Sequence, residues 1–100
     1  MIATIVRRIV ATAHPDKIIL FGSAARGKMG PDSDIDLLIV ESAPFDRRKE
    51  YLRIRRALRG LGHPFDIVLI SREWFEASKD VIGGIAYPAA KHGRTIYEAA

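Results

Sequence analysis

The sequence predicts a small α/β (α+β) sandwich, in which helices cover a mixed sheet of three to four strands. Three runs of strand length are apolar almost throughout, and segments with helical spacing of apolar residues precede, separate and follow them. The chain has 100 residues, which fits one domain over residues 1–100 and leaves little room for a second core. The sequence contains no repeat, linker or low-complexity segment that would divide this domain.

The first part of the chain predicts a helix followed by a central strand. Between residues 2 and 13, apolar side chains recur at helical spacing, namely Ile2, Ile5, Ile9 and Val10. Pro15 ends this helix. The continuous apolar run from Lys17 to Phe21 is typical of a strand that is covered on both faces.

The longest predicted helix spans residues 44–61, with an apolar face formed by Tyr51, Ile54, Leu58 and Leu61. This segment carries seven of the sixteen basic residues, namely Arg47, Arg48, Lys49, Arg53, Arg55, Arg56 and Arg59. We interpret them mainly as a solvent-exposed face, on which the alkyl parts of the side chains cover apolar surface and the charged groups reach water. The alternative is a docking surface for an acidic partner or RNA, but direct nucleic-acid binding is not expected because interleaved aromatic residues are missing.

The last third predicts a third strand at residues 65–70, after which Ser71 can cap a helix that begins at Arg72. Trp74 and Phe75 are expected to fill the edge of the core, whereas an exposed Trp74 would indicate an interface. Residues 81–91 predict a kinked or broken helix because they contain two glycines and Pro88. A short final strand is predicted at residues 95–97.

Composition restricts the class of protein only loosely. The net charge of +4 and a pI near 9.8 permit an anionic ligand or an acidic partner without distinguishing between them. Because there is no cysteine, a metal would have to be held by oxygen or imidazole ligands. No apolar run reaches membrane-spanning length and the first residues carry arginines, so we expect a cytoplasmic protein without a membrane partner.

Carboxylates at the starts of two strands are the candidate metal ligands. The apolar run at residues 35–40 predicts the second strand, and alternation along it places Asp34 and Asp36 on one face, about 6.6 Å apart. Their repulsion is on the order of 2.5 kcal/mol at an effective dielectric constant of about 20, and a bound Mg²⁺ or Mn²⁺ would turn it into attraction. A lone Asp-x-Asp more often consists of a turn residue and a residue on a solvent-exposed strand face. Asp66 favours the metal site instead, because it would lie beside the pair if its strand is a neighbour.

A glycine-serine step ends the first strand and is a candidate anion site. Gly22 lets backbone N–H groups approach a ligand, and Ser23 can add a hydroxyl or cap the following helical turn. Arg26 and Lys28 can add positive charge for a phosphate. For Gly22 and Ser23 alone, an ordinary strand-to-helix turn is the better interpretation.

Together these residues resemble the nucleotidyltransferase superfamily related to DNA polymerase β. The shared pattern is Gly22-Ser23, ten residues, Asp34-x-Asp36, and Asp66 on a later strand. Within the superfamily the chain is most similar to the minimal nucleotidyltransferases (MNT), the antitoxins of HEPN/MNT toxin–antitoxin pairs. The resemblance is concentrated in residues 21–40 and implies a single nucleotidyltransferase domain.

The resemblance implies a catalytic role for each motif residue. Gly22, Ser23 and Arg26 would bind the nucleotide, with the first two at the β- and γ-phosphates of ATP. Asp34 and Asp36 would bind two Mg²⁺ ions, and Asp66 would complete the metal site and help to activate the attacking hydroxyl. The family's reaction is transfer of AMP from ATP to a tyrosine of the partner HEPN toxin, a ribonuclease that is thereby silenced. No motif position is substituted, so we predict an active enzyme.

Two alternatives remain open from the sequence. In the first alternative, the chain is a non-catalytic antitoxin that neutralises its partner by occlusion, with the arginine-rich helix as the docking surface. In the second, it transfers a nucleotide to a small molecule, which would require dimerisation to build an acceptor cleft.

Overall fold

The computed structural model describes residues 1–27, 34–42 and 44–100, and in these ranges helices and strands alternate much as the sequence predicts. The elements, in chain order, are α1 (Ile2–Thr12), β1 (Lys17–Phe21), a 3-10 turn (Gly22–Arg26), β2 (Ile35–Glu41), α2 (Arg47–Ala57), β3 (Phe65–Ser71), α3 (Arg72–Ser78), α4 (Tyr87–His92) and β4 (Arg94–Glu98). Both the α+β class and the short final strand are therefore confirmed.

The four strands form one mixed sheet in the order β3-β2-β1-β4. β1 pairs antiparallel with β2 and with β4, whereas β2 and β3 are parallel. A parallel pair needs a long crossover, and α2 supplies it. Since β1 lies inside the sheet and Ile18, Ile19 and Leu20 are all buried, its prediction as a central strand covered on both faces is confirmed.

Each face of the sheet buries its own apolar core. The larger core joins α1 and α2 to alternate residues of the central strands, and its most deeply buried members include Ile5, Ile9, Ile18, Leu37, Ile39 and Ile54. The smaller core joins α3 and α4 to the other face, with Ile19, Leu38, Val40, Ile70, Phe75, Ala86 and Ala89. The larger core reaches the start of β2 at Ile35, whereas the smaller core on the other face begins at Leu38 and Val68 and leaves the second residues of β2 and β3 outside it.

The second helix is shorter than predicted, and one residue of its predicted apolar face lies outside the core. Its first residue is Arg47, because the Asp46 side chain accepts a hydrogen bond from the backbone N–H of Lys49 and caps the helix. Ile54 is buried as predicted, but Tyr51 is 36% exposed and Glu50 is buried in its place. The predicted apolar face is therefore confirmed at Ile54 and, beyond the end of the helix, at Leu58 and Leu61, whereas Tyr51 lies at its flank.

The segment after α3 also differs from a simple broken helix. Residues before α4 form turns, and α4 itself begins at Tyr87 with Pro88 in its first turn, where a proline costs no hydrogen bond. The predicted cap of α3 is present, since the Ser71 hydroxyl accepts a hydrogen bond of 3.1 Å from the N–H of Trp74. Within the described residues, no helix is both long and apolar enough to cross a membrane.

The two aromatic residues of α3 have different environments. Phe75 is buried in the smaller core, as predicted. Trp74 is 43% exposed, so the expectation that it fills the core edge is wrong. Trp74 lies in the first turn of α3, directly before Phe75, and since Phe75 faces the sheet, the neighbouring position turns outward.

A pair of acidic side chains is buried where the end of β2 meets α2. Glu41 is only 6% exposed, and its pKa is raised to about 7, first by burial and then by a hydrogen bond with Glu50 and the charges of Glu50 and Asp16. Arg53, whose guanidinium lies 2.9 Å from a Glu50 carboxylate oxygen, opposes this rise. The pKa of Glu41 therefore lies close to neutral pH in the folded protein.

This raised pKa predicts a pH dependence of stability. A carboxyl whose pKa rises from 4.5 to about 7 on folding favours the folded state fully below the unfolded value, and the benefit is lost as pH rises through about 7. The free energy of unfolding, measured by urea denaturation, should fall by about 2 kcal/mol between roughly pH 5 and roughly pH 8 because of this group. Glu41→Gln should remove that part of the slope.

The exposed Glu73 provides the matched control, since Glu73→Gln removes the same charge outside the pair and should leave the slope unchanged. An unchanged slope in Glu41→Gln would show that the pKa of Glu41 is not raised.

Candidate active site

Two aspartates lie side by side at the starts of the two parallel strands. Asp36 is the second residue of β2 and Asp66 the second residue of β3, and the register pairs them directly. Neighbouring strands are about 4.8 Å apart, so the two side chains project from adjacent positions. They share the sheet face of Leu38 and Val68, which is the face covered by α3 and α4. The structure therefore brings Asp66 beside Asp36.

Asp34 lies next to this pair and outside the strand. It is exposed and immediately precedes β2, two positions before Asp36. In the described part of the chain, no three acidic, histidine or cysteine side chains already converge in an arrangement that could hold a metal ion. The site thus consists of two adjacent carboxylates with a third just ahead of them.

The pKa of Asp36 is raised by burial and by its neighbours. Partial burial is the largest cause, followed by the negative charges of Asp66 and Asp34 and a hydrogen bond with Asp66. Each of these causes penalises the ionised form. A divalent cation would reverse the charge contribution, and carboxylate oxygens are the ligands that Mg²⁺ and Mn²⁺ favour. The residues present fit such an ion.

Gly22 allows the end of β1 to approach Asp36. Phe21 pairs with Asp36 across the antiparallel strands, and Gly22 follows with φ of +70°. A Cβ atom at this position would lie 2.1 Å from an Asp36 carboxylate oxygen. A side chain therefore cannot occupy position 22 while that carboxylate keeps its place. This steric role adds to the backbone access that the sequence indicated.

The turn after β1 differs from the predicted helical turn. Residues 22–26 form a 3-10 turn with Phe21 at its cap position, and no side chain caps it, so Ser23 does not serve as the cap. Ser23 is half-buried next to Gly22, and Arg26 is exposed in the last part of the turn. Lys28, and the turn that Gly30, Pro31 and Asp32 predict, lie outside the described residues.

The candidate residues follow one another across the sheet. The turn at Gly22 and Ser23 continues β1, Asp36 begins the neighbouring strand, and Asp66 begins the strand beyond it. An anion bound at the turn would thus lie on one side of the carboxylates, and the outer edge of β3 on the other. This geometry suits a reaction in which a cation between the carboxylates contacts a polyanionic ligand.

Comparisons with known proteins identify a matching family and similar folds. The family model described as nucleotidyltransferase domain matches residues 1–87. The comparison with curated proteins found no match. Among solved structures, a toxin–antitoxin with AMP-PNP matches with a TM-score of 0.72 and 17% identity over 98% of this chain and 73% of that chain. A mutant of the MntA-HpeT toxin–antitoxin matches with a TM-score of 0.67 and 15% identity over 99% and 74% of the two chains.

The contact between Gly22 and Asp36 predicts a matched pair of substitutions. Gly22→Ala and Gly27→Ala both place an alanine at positive φ, at +70° and +68°, which costs about 1–2 kcal/mol in each case. Only Gly22→Ala adds a collision, because no described residue lies within 4 Å of a Cβ built at Gly27. Urea denaturation should therefore show that Gly22→Ala loses about 1–3 kcal/mol more than Gly27→Ala. Equal losses would contradict the close approach.

Proposed function

The chain belongs to the nucleotidyltransferase domain family, and on that premise we propose that it is a Mg²⁺-dependent nucleotidyltransferase that transfers AMP from ATP to a protein hydroxyl. The proposed acceptor is a tyrosine of a HEPN-domain toxin, so that this chain acts in the cytoplasm as the antitoxin. The observation that carries the proposal is the placement of Asp36 directly beside Asp66, next to the turn that begins at Gly22.

We assign Asp34, Asp36 and Asp66 to the metal site, with two Mg²⁺ ions or Mn²⁺ in their place. The raised pKa of Asp36 supports this assignment in part, because after burial its largest causes are the negative charges of Asp66 and Asp34, which a cation would offset. When bound, such ions lower the pKa of an attacking hydroxyl and neutralise charge on the phosphates.

In the proposed reaction, the hydroxyl oxygen of the acceptor forms a bond to the α-phosphorus of ATP. The bond from that phosphorus to the oxygen shared with the β-phosphate breaks, and pyrophosphate leaves with the electron pair. Asp66, on the side away from the Gly22 turn, takes the hydroxyl proton. Gly22 and Ser23 hold the β- and γ-phosphates, and Arg26 adds positive charge.

The structural relatives support the choice of nucleotide and of partner class. One was solved with AMP-PNP, an analogue of ATP. In the other, the mutated aspartates are two positions apart, which is the spacing of Asp34 and Asp36 in this chain. Both relatives are toxin–antitoxin structures, which supports a toxin as the partner.

An antitoxin that acts by occlusion is the second candidate. The exposed Trp74 and the seven basic residues of the α2 segment favour it, since both could contact a partner without any chemistry. Under this alternative, the aspartates would be dispensable for neutralisation.

Labelled ATP tests the transferase. With Mg²⁺, ATP labelled on the α-phosphate and the purified product of the neighbouring gene, label should appear on the partner, whereas label on the γ-phosphate should not transfer. Asp36→Asn should reduce transfer by roughly a hundredfold or more, because it removes a carboxylate from the metal site. Asp80→Asn is the matched control, since Asp80 is exposed and paired with Lys91 away from the site. Transfer at the wild-type rate by Asp36→Asn would remove Asp36 from the metal site.

Neutralisation of the toxin in growing cells separates the two candidates. If transfer is required, Asp34→Asn and Asp36→Asn should still form the complex, as measured by size-exclusion chromatography, yet fail to restore growth. Neither substitution removes an apolar contact, so both variants should fold. Undiminished neutralisation by these variants would instead establish occlusion.

A further inference from the structure

An open groove runs along the outer edge of β3. This strand is at one end of the sheet, so one of its edges has no neighbouring strand. The groove has a volume of about 550 Å³. It is lined by Arg47, Arg48, Tyr51, Ile67, Val68, Leu69, Trp74 and Ile85. Its walls therefore come from α2 on one face of the sheet and from α3 and the turn before α4 on the other.

Three large apolar side chains of the groove are exposed to solvent. Tyr51 is 36% exposed, Ile85 42% and Trp74 43%, and each belongs to a different part of the chain. Isolated exposed apolar residues are ordinary, but their convergence on one groove indicates a binding surface. Trp74 is the single tryptophan of the chain, and tryptophan is enriched at the centres of interfaces.

Two arginines of α2 bind the backbone edge of β3, Arg47 inside this groove and Arg55 next to it. The Arg47 guanidinium donates to the carbonyl of Leu69, and the Arg55 guanidinium donates to the carbonyl of Phe65 at 2.6 Å. These contacts cover part of the edge that another strand would use. An occupant of the groove would consequently contact side chains rather than extend the sheet.

The same arginines also lie over the aromatic rings. The guanidinium carbon of Arg47 is 5.7 Å from the ring centre of Trp74, and that of Arg55 is 5.9 Å from the ring centre of Tyr51. Each ring thus has one face occupied by a cation of the chain itself. Bases of single-stranded RNA bind by stacking on open aromatic faces, so the groove is poorly suited to RNA.

The charge of the groove selects an acidic occupant. Arg47 and Arg48 are its charged residues, and none of the described residues that line it is acidic. Guanidinium groups bind carboxylates through paired hydrogen bonds. A segment with both acidic and apolar side chains would complement this lining.

The groove also lies on the side of the candidate site from which an acceptor must come. Val68 follows Asp66 by two positions on the same face of β3, about 6.6 Å away. In an in-line displacement, the attacking oxygen and the leaving pyrophosphate are on opposite sides of the α-phosphorus. With pyrophosphate at Gly22 and Ser23, the acceptor approaches across Asp66, from the β3 edge.

We propose that the groove at the β3 edge binds an acidic, partly apolar segment of the acceptor protein and directs its hydroxyl toward Asp66. This inference rests on the proposed function for the direction of approach. The binding itself depends only on the groove. Trp74 and Ile85 contact the apolar side chains of the segment, and Arg48 pairs with its carboxylates.

Fluorescence of Trp74 tests the binding without ATP or metal. The probe is a short synthetic peptide in which one tyrosine is flanked by leucine and glutamate, and which contains no tryptophan. Binding should shift the emission of Trp74 to shorter wavelength, because the peptide removes water from the indole. The affinity should decrease with added salt. A peptide with lysine in place of each glutamate should not bind.

A matched pair of charge reversals locates the contact. Arg48→Glu should weaken binding roughly tenfold, because a lining cation becomes an anion. Arg56→Glu makes the same change at an exposed position of the same helix that does not line the groove, and it should change affinity by less than about twofold. The proposal would be overturned if the two variants lost affinity equally, if the peptide bound without changing Trp74 emission, or if it did not bind. It would also be overturned if the lysine peptide bound equally well, or if single-stranded RNA changed the emission when the peptide did not.

Transfer of AMP to the peptide separates a failure of the groove from a failure of the transferase. With ATP and Mg²⁺, Arg48→Glu should raise KM for the peptide roughly tenfold and leave kcat nearly unchanged. Transfer with a KM that Arg48→Glu does not alter would overturn the groove and leave the transferase intact. Peptide binding that depends on Arg48, with no transfer to peptide or partner, would support the groove and refute the transferase.

Discussion

The parallel pairing of β2 with β3 is the constraint on which the site depends. It places Asp36 beside Asp66, although two carboxylates at adjacent positions repel each other. The apolar residues farther along both strands outweigh that repulsion. Leu38 and Ile70 are buried on the same face as the carboxylates, and Leu37 and Leu69 are buried on the other. A slip of one position would turn all of these residues to the wrong face, so the cores fix the register and the register fixes the carboxylates.

The arginine-rich helix has more than one structural task. Arg47 and Arg55 bind carbonyl groups at the edge of β3, and edges without a neighbour are where sheets aggregate. Arg8 of α1 in turn binds the carbonyl of Arg59 at 2.7 Å, just beyond the end of α2. Several cations of this segment are thus part of the fold, and Arg48 is exposed beside the groove. The same positive charge protects the edge strand and gives the groove its preference for acidic segments.

Local sequence patterns predicted most of the helices and strands, but they predicted less well which elements are neighbours in the fold and which side chains meet. The apolar runs ending at Phe21 and Val40 and the cap at Ser71 are readable because their signals lie within a few residues. The position of Asp66 beside Asp36 depends on which strands are neighbours, and that depends on packing across the chain. The face of α2 was misjudged at Tyr51 because a buried Glu50 contradicts the usual preference of charged residues for solvent. The collision that excludes a side chain at Gly22 is likewise a property of the assembled strands.

β2 carries one acidic residue near each end, and each lies beside a carboxyl group of another element. Near the last residue of β2, burial and the neighbouring Glu50 raise the pKa of Glu41 to about 7, although Arg53 opposes the rise. At its start, Asp36 is only partly buried, and both Asp34 and Asp66 are exposed. Solvent therefore reaches the carboxylates at the start of β2, whereas it is excluded from Glu41. Burial thus distinguishes Glu41, which is part of the packed interior, from Asp36 of the candidate site, even though both lie on a single strand.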